Sequence, residues 1–343
     1  MTTDNFVLDK LLILSEIPYL SPDFHPYNRK IDAEGGMGYR FAVSVLKKCA
    51  KIEKTIRLKG ENTMTFSIVG FDPKTKELGI AVQSKFIGVG SVVPWAKAGV
   101  GAVATQAFAN PAYGPDGLEL LEEGKTALEA VDILTSKDEG SADRQVGIVD
   151  ANGNAATFTG ENCYDWAGGR TGKHYAAQGN ILVSQETVDA MGETFEEAAG
   201  TLADRLLQAL DRGQAAGGDS RGKQAAAIYV VKEKGGYLGV NDRYIDLRVD
   251  DHPDPIKELI RIYHLHQLYF SKPKKENILE IKEEVKGEVE KHLKRLGYLK
   301  ENDVDDEAIH KGLTAFLHTE NFEERELEKG KLDKEVLDYM KEK

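Results

Sequence analysis

The chain has 343 residues, room for about two domains, and its 41% hydrophobic content suits a protein with a sizeable core. A net charge of −12 argues against a nucleic-acid surface, because phosphate binding needs clustered Lys and Arg. No apolar run reaches the roughly 18–20 residues of a membrane span, and two cysteines, Cys49 and Cys163, make no disulfide framework.

The first segment, 1–63, has no clear periodicity, a Pro-rich middle (Pro18, Pro22, Pro26) and a basic end. Phe6–Ile17 is apolar, but Asp9, Lys10 and Glu16 interrupt it and no small-residue cleavage site follows, so it is a poor signal peptide. A reduced, cytoplasmic protein is the expectation. The codons of Lys59-Gly60-Glu61 are of the type AAR-GGN-GAR, which can contain a ribosome-binding sequence, and they stand two codons ahead of Met64. Residues 1–63 therefore read as a translated leader with little or no structure; the other reading of Lys-Gly-Glu is a polar turn.

Residues 64–270 are rich in Gly and Ala with alternating strand patterns. Two β-branched, apolar runs, 65–71 and 78–84, flank the turn-forming Asp72-Pro73 and predict a hairpin. Further strands are expected at 88–93, 100–106, 145–150 and 154–159, the last two joined at Asn152-Gly153. Residues 115–136 read as a helix broken near Gly124, and 193–212 as a helix with Phe195, Ala199, Leu202, Leu206 and Leu210 on one face. Strands 225–232 and 236–240 are expected to pair across Gly235-Gly236, and a helix begins after Asp254-Pro255. This order predicts an α+β domain of sheets covered by helices. In 271–343 about half the residues are charged, near balance, which marks a solvated surface. There Ile278, Ile281, Val285, Val289, Leu293 and Leu296 form one stripe, with shorter helices at 305–318 and 333–341, so the segment reads as a small all-α module.

Thr65 is the first candidate for chemistry. A threonine that begins a polypeptide is nucleophile and base together, since its α-amine can take the proton of its own hydroxyl. An α-amine has an ordinary pKa of about 7.7–8, low enough for that task. Removal of Met64 before a small residue would expose it; otherwise Thr65 is an ordinary strand threonine. The hairpin returns Ser84-Lys85 beside Thr65, where the Lys85 cation would hold the amine pKa down, unless Lys85 is a solvated strand end. Gln106, Asn110 and Tyr113 on 105–114, and Gln178 with Asn180, offer amides and a phenol for an oxyanion hole, or else capped turns. Asp219 and Arg221 in the glycine-rich loop 217–222 could meet a polar or anionic substrate; the loop lacks the ending of a phosphate loop. Asp250-Asp251-His252-Pro253-Asp254 has metal-ligand residue types at a spacing that fits no metal template, and a helix cap is the simpler reading. No metal or cofactor is expected.

The strings Met64–Val69, Gly79–Phe86, Val93–Ala96, Gly99–Ala107, Asn110–Pro115, Gln178–Leu182, Gly217–Gly222 and Asp246–Pro255 together resemble a bacterial and archaeal family of unknown function classed among the Ntn-hydrolase-like proteins. The resemblance covers about 64–270 and implies a four-layer αββα Ntn-hydrolase-like sandwich with Thr65 as nucleophile. Residues 278–340, with His318–Arg325, look like a peptidoglycan-binding module that some members carry. Ala177 stands where relatives often have Cys, so no thiol chemistry is assigned there. The expected function is an N-terminal-nucleophile amidohydrolase acting on a small peptide or amino-sugar amide. Peptidoglycan fragments are candidate partners, nucleic acid and membrane are not, and a homo-oligomer is expected. The alternative is a non-catalytic binding or scaffold protein on the same fold.

Overall fold

Strands β1 (Thr65–Phe71) and β2 (Leu78–Ser84) form the expected hairpin, in register from Thr65 opposite Ser84 to Phe71 opposite Leu78. Its turn is held by the Asp72 carboxylate, which accepts the Lys74 N–H at 2.8 Å. This computed structural model describes residues 65–302 and 305–343; the expected leader 1–63 lies outside the described residues.

Strands β3 (Pro94–Lys97), β4 (Gly101–Ala107), β5 (Arg144–Asp150) and β6 (Ala155–Thr159) form a four-stranded antiparallel sheet in that order. The strand expected at 88–93 is absent; Val89–Ser91 is a 3-10 turn, and the edge strand starts only at Pro94. Strands β7 (Gly168–Gly172), β8 (Tyr175–Asn180), β9 (Ala225–Val231) and β10 (Arg243–Val249) join the first hairpin in a six-stranded sheet, β10-β9-β2-β1-β8-β7. The expected strand at 236–240 is also absent. Tyr237–Gly239 is a 3-10 turn at an exposed tip, and the partner of β9 is β10, further along the chain.

Helices α1 (Tyr113–Glu122) and α2 (Ala127–Lys137) reproduce the expected broken helix. The single helix expected at 193–212 is two, α3 (Glu186–Glu197) and α4 (Leu202–Ala215). Gly200 turns the chain with φ 113°, and Thr201 opens α4 with a capping box to Asp204, which outweighs the continuous apolar spacing. Helix α5 (Pro255–Phe270) starts at its Pro as expected.

Alternation along the strands sorts the side chains between cores. Phe66 and Ile68 of β1 join a core with Val188, Phe195, Leu206, Leu210 and Leu259, between the six-stranded sheet and α3, α4 and α5. Val69 and Phe71 point the other way, into a core shared with Ala102, Ala104 and Val149 of the four-stranded sheet. Val103, Val146 and Ile148 face α1 and α2 in a third core.

Beyond α5 lie α6 (Glu283–Arg295), α7 (Asp306–Thr319) and α8 (Lys334–Glu342) around Val289, Leu293, Phe316, Phe322 and Met340. The segment is not purely helical. Ile278, expected to begin the long helix, lies in β11 (Ile278–Glu280), which pairs with β12 (Lys331–Asp333). No described helix is long and apolar enough to cross a membrane.

Candidate functional site

The face of each strand that looks toward the opposite sheet changes character along its length. In β1 it runs Phe71, Val69, Ser67, Thr65; in β2, Leu78, Ile80, Val82, Ser84. In β8 it runs Ala176, Gln178, Asn180; in β4, Ala102, Ala104, Gln106; in β5, Val149, Gly147, Gln145. The register places all the polar ends together, so an apolar inter-sheet core gives way to buried hydroxyls and carboxamides around Thr65.

Most of these groups satisfy one another, as burial requires; among the described residues Gln178 Oε1, lying against Gly147, is the exception. The Thr65 hydroxyl donates to Ser84 Oγ at 3.2 Å. The Thr65 carbonyl accepts from Gln106 Nε2 at 3.2 Å and Asn180 Nδ2 at 3.4 Å. Those two nitrogens also donate to Gln145 Oε1, at 2.8 and 2.9 Å. Ser67 Oγ donates to Gln106 Oε1 and accepts from Gln178 Nε2, both at 2.6 Å. Gln106 and Asn180 thus spend their N–H groups on Thr65 and Gln145, with the Gln178 carbonyl a further acceptor for Gln106 at 3.4 Å. Each is followed by a residue in the left-handed region, Ala107 at φ 64° and Ile181 at φ 50°. A positive φ at a β-branched residue is rare, and such strain tends to mark functional sites.

The other expected residues fall into two groups. Asp219 is buried and accepts the Lys85 backbone N–H at 2.9 Å, so the loop 217–222 is pinned to the end of β2 beside Ser84. Arg221 pairs with Asp219 at 3.2 Å. The Lys85 ammonium is exposed and donates to the Lys223 carbonyl at 3.2 Å. Asn110 and Tyr113 are drawn elsewhere, both donating to Asp138 Oδ2, at 3.3 and 3.0 Å. Burial opposes the Asp138 charge, but hydrogen bonds from Arg144, the Gly140 amide, Tyr113 and Asn110 outweigh it and hold the carboxyl at about 2. Burial, reinforced by Asp138, pushes the Tyr113 phenol well above its usual range. A cavity of about 490 Å³ between α1 and α2 is lined by Asn110, Tyr113 and Asp138, and Thr65 is not in it.

Burial pushes the Cys163 thiol up to about 11, so it stays protonated. No group of three or more His, Cys, Asp or Glu among the described residues could hold a metal ion, and His252 Nδ1 accepts the Asp254 N–H at the entry to α5.

Residues 65–259 match the model of the family of unknown function DUF1028. The chain belongs to that family. A DUF1028 protein from Silicibacter pomeroyi, known from a crystal structure, is 33% identical with a TM-score of 0.55, over 60% of this chain and 86% of its own. Residues 269–340 match the model described as "Putative peptidoglycan binding domain". No curated protein matches the chain significantly.

Sequence reasoning missed Ser67 and Gln145, and placed Ser84 beside Thr65 without giving it a role. The signal was present in the strands, where every second residue turns from apolar to hydroxyl or amide. It becomes legible only once the strand directions are known.

Proposed function

We propose that this DUF1028 chain is an N-terminal-nucleophile amide hydrolase on an αββα Ntn-type sandwich, active once Thr65 is the first residue. One observation carries the reading: five strands from two sheets bring their only run of buried polar side chains to Thr65. The Thr65 hydroxyl attacks the amide carbonyl carbon, and its oxygen forms the new ester bond. The free α-amine takes the hydroxyl proton and returns it to the leaving amine as the C–N bond breaks. Water then attacks the ester, releases the acid and regenerates the hydroxyl.

Ser84 orients the nucleophilic oxygen in this scheme, and Gln106 and Asn180 hold the Thr65 carbonyl rather than an oxyanion. The oxyanion donors are then backbone N–H groups in 105–114 or 178–180 that are not already spent, as those of Thr105, Phe108, Ala109, Tyr113 and Gly114 are on main-chain carbonyls. Lys85 adds positive charge to this end of the sheet, which favours the neutral amine. Asp219 and Arg221 border the same end. The segment 269–340 brings peptidoglycan fragments, by the description of its matching model, into the range of ligands to test.

The test compares two forms of the protein with a threonine-directed β-lactone. A form beginning at Thr65 should be acylated there, and the form with 1–64 attached should not, because its nitrogen is an amide and cannot act as base. Thr65→Ser should keep labelling and Thr65→Ala lose it. Equal labelling of both forms would rule out the mechanism. That Gln106, Asn180 and Gln145 spend their amides on one another and on the Thr65 carbonyl favours a second reading, a non-catalytic binding protein, and absence of labelling from both forms would support it.

A further inference from the structure

We infer that Gln145, which no local sequence pattern marks out, is the positioning residue that fixes Thr65 for reaction; the inference rests on the hydrolase reading. A carboxamide can be turned end for end, so its orientation must be set by its surroundings. Around Gln145 they leave no choice. Its Nε2 faces the Gly179 carbonyl at 2.8 Å, the Gly168 carbonyl at 3.2 Å and Thr159 Oγ1 at 2.8 Å. Two of these are backbone carbonyls, which only accept. Gln145 Oε1 is therefore turned the other way, toward Gln106 and Asn180.

That oxygen sets the next pair in turn. Only the NH₂ groups of Gln106 and Asn180 can meet it, and each NH₂ has a second hydrogen. Both second hydrogens reach the Thr65 carbonyl, the one on Gln106 shared with the Gln178 carbonyl at 3.4 Å. The Gln106 oxygen is left facing Ser67, whose hydroxyl fills it. The order of command thus runs from the main chain of β7 and β8 through one glutamine to two amides and then to the carbonyl of the nucleophilic residue. A carbonyl clamped from two sides fixes the rotation of the Thr65 peptide, and with it the directions of the hydroxyl and the α-amine. Gln145 does this from the opposite sheet without touching Thr65 itself, and it is fully buried.

Gln145→Met, nearly isosteric and without polar atoms, removes the instruction while filling the space. Gln145→Asn keeps an amide one methylene shorter and serves where the first variant folds poorly. Two quantities are measured on the form beginning at Thr65. The first is β-lactone labelling, resolved into its rate at saturating probe and its half-saturating concentration. The second is hydrogen exchange of the Gln106 and Asn180 side-chain amides, followed by NMR. The expected result is a tenfold or greater fall in the saturating rate, an unchanged half-saturating concentration and faster exchange of both amides. A merely structural glutamine would lower the melting temperature and leave the rate of the folded fraction alone. Unchanged labelling and exchange in a folded variant overturn the inference. If the unsubstituted protein is not labelled at all, the hydrolase reading fails and the role in reaction fails with it; a change in exchange would then show only that the clamp exists.

Discussion

Gly147 sits in β5 one alternate position from Gln145, and its missing side chain is what seats Gln178. A Cβ there would lie 2.0 Å from Gln178 Oε1 and 2.5 Å from its Cδ. Gly147→Ala should therefore push Gln178 off Ser67 and loosen the amide group. The expected cost is about 1–3 kcal/mol in a denaturant titration, the usual size of an overpacked core, accompanied by slower labelling of Thr65. Ala for Gly at an unstrained backbone normally gains a little stability, so a stabilised variant would contradict this picture. Asp138 offers a pH test away from Thr65. Its folded pKa, about 2, lies below the ordinary 3.8, so its contribution is fully present above about pH 4 and is lost as pH falls toward 2. Asp138→Asn should lower the melting temperature at pH 7 and flatten its decline through that window. A parallel decline in both proteins would show that Asp138 is not responsible.

At the scale of elements, local chemistry was readable wherever it dominated. Asp-Pro turned the first hairpin, and Pro255 opened α5 as expected. Periodicity misled where a stop signal lay inside an apolar stripe, as in α3 and α4. Thr201 is the stop: it accepts the Asp204 N–H at 3.2 Å, and Asp204 Oδ2 accepts the Thr201 N–H at 2.9 Å. Tyr263 of α5 donates to Asp204 Oδ1 at 3.0 Å, so the cap also fixes where α5 lies on α4. Thr201→Ala should cost about 1 kcal/mol by thermal melting, and Thr201→Ser should recover most of it. An Ala variant as stable as the parent would mean that packing alone sets the boundary.

Across the whole molecule, the junction near 270 is not a seam between separable parts. Leu268 is part of the C-terminal core, and Leu265 and Tyr269 pack against it, although all three belong to α5. Arg325 is buried, paired with Asp333, and donates to the Leu268 carbonyl at 2.9 Å and the Gln267 carbonyl at 2.7 Å. A fragment 272–343 would lose these partners and leave a buried arginine only partly hydrogen-bonded. At about 70 residues it is already near the lower limit for one stable core. It should melt broadly or not fold, while 260–343 should show a cooperative helical transition by circular dichroism. Equal transitions in the two fragments would place the boundary back at 271.

The sequence alone determined the mixed α and β character, the hairpin that carries Thr65, the helical tail and the family strings. Each depends on neighbours a few residues apart, on turn chemistry or on alternation. Its candidates around Thr65 divided for a reason no local pattern contains. Gln106 and Asn110 are four residues apart, yet one ends a strand pointing between the sheets and the other enters a turn bonded to Asp138. Tertiary structure alone decided that Gln145 and Asn180, 35 residues apart, meet at 2.9 Å. The physical reason is that a buried amide is costly to leave unpaired, and which amides can pair in the inter-sheet space is set by strand order and register.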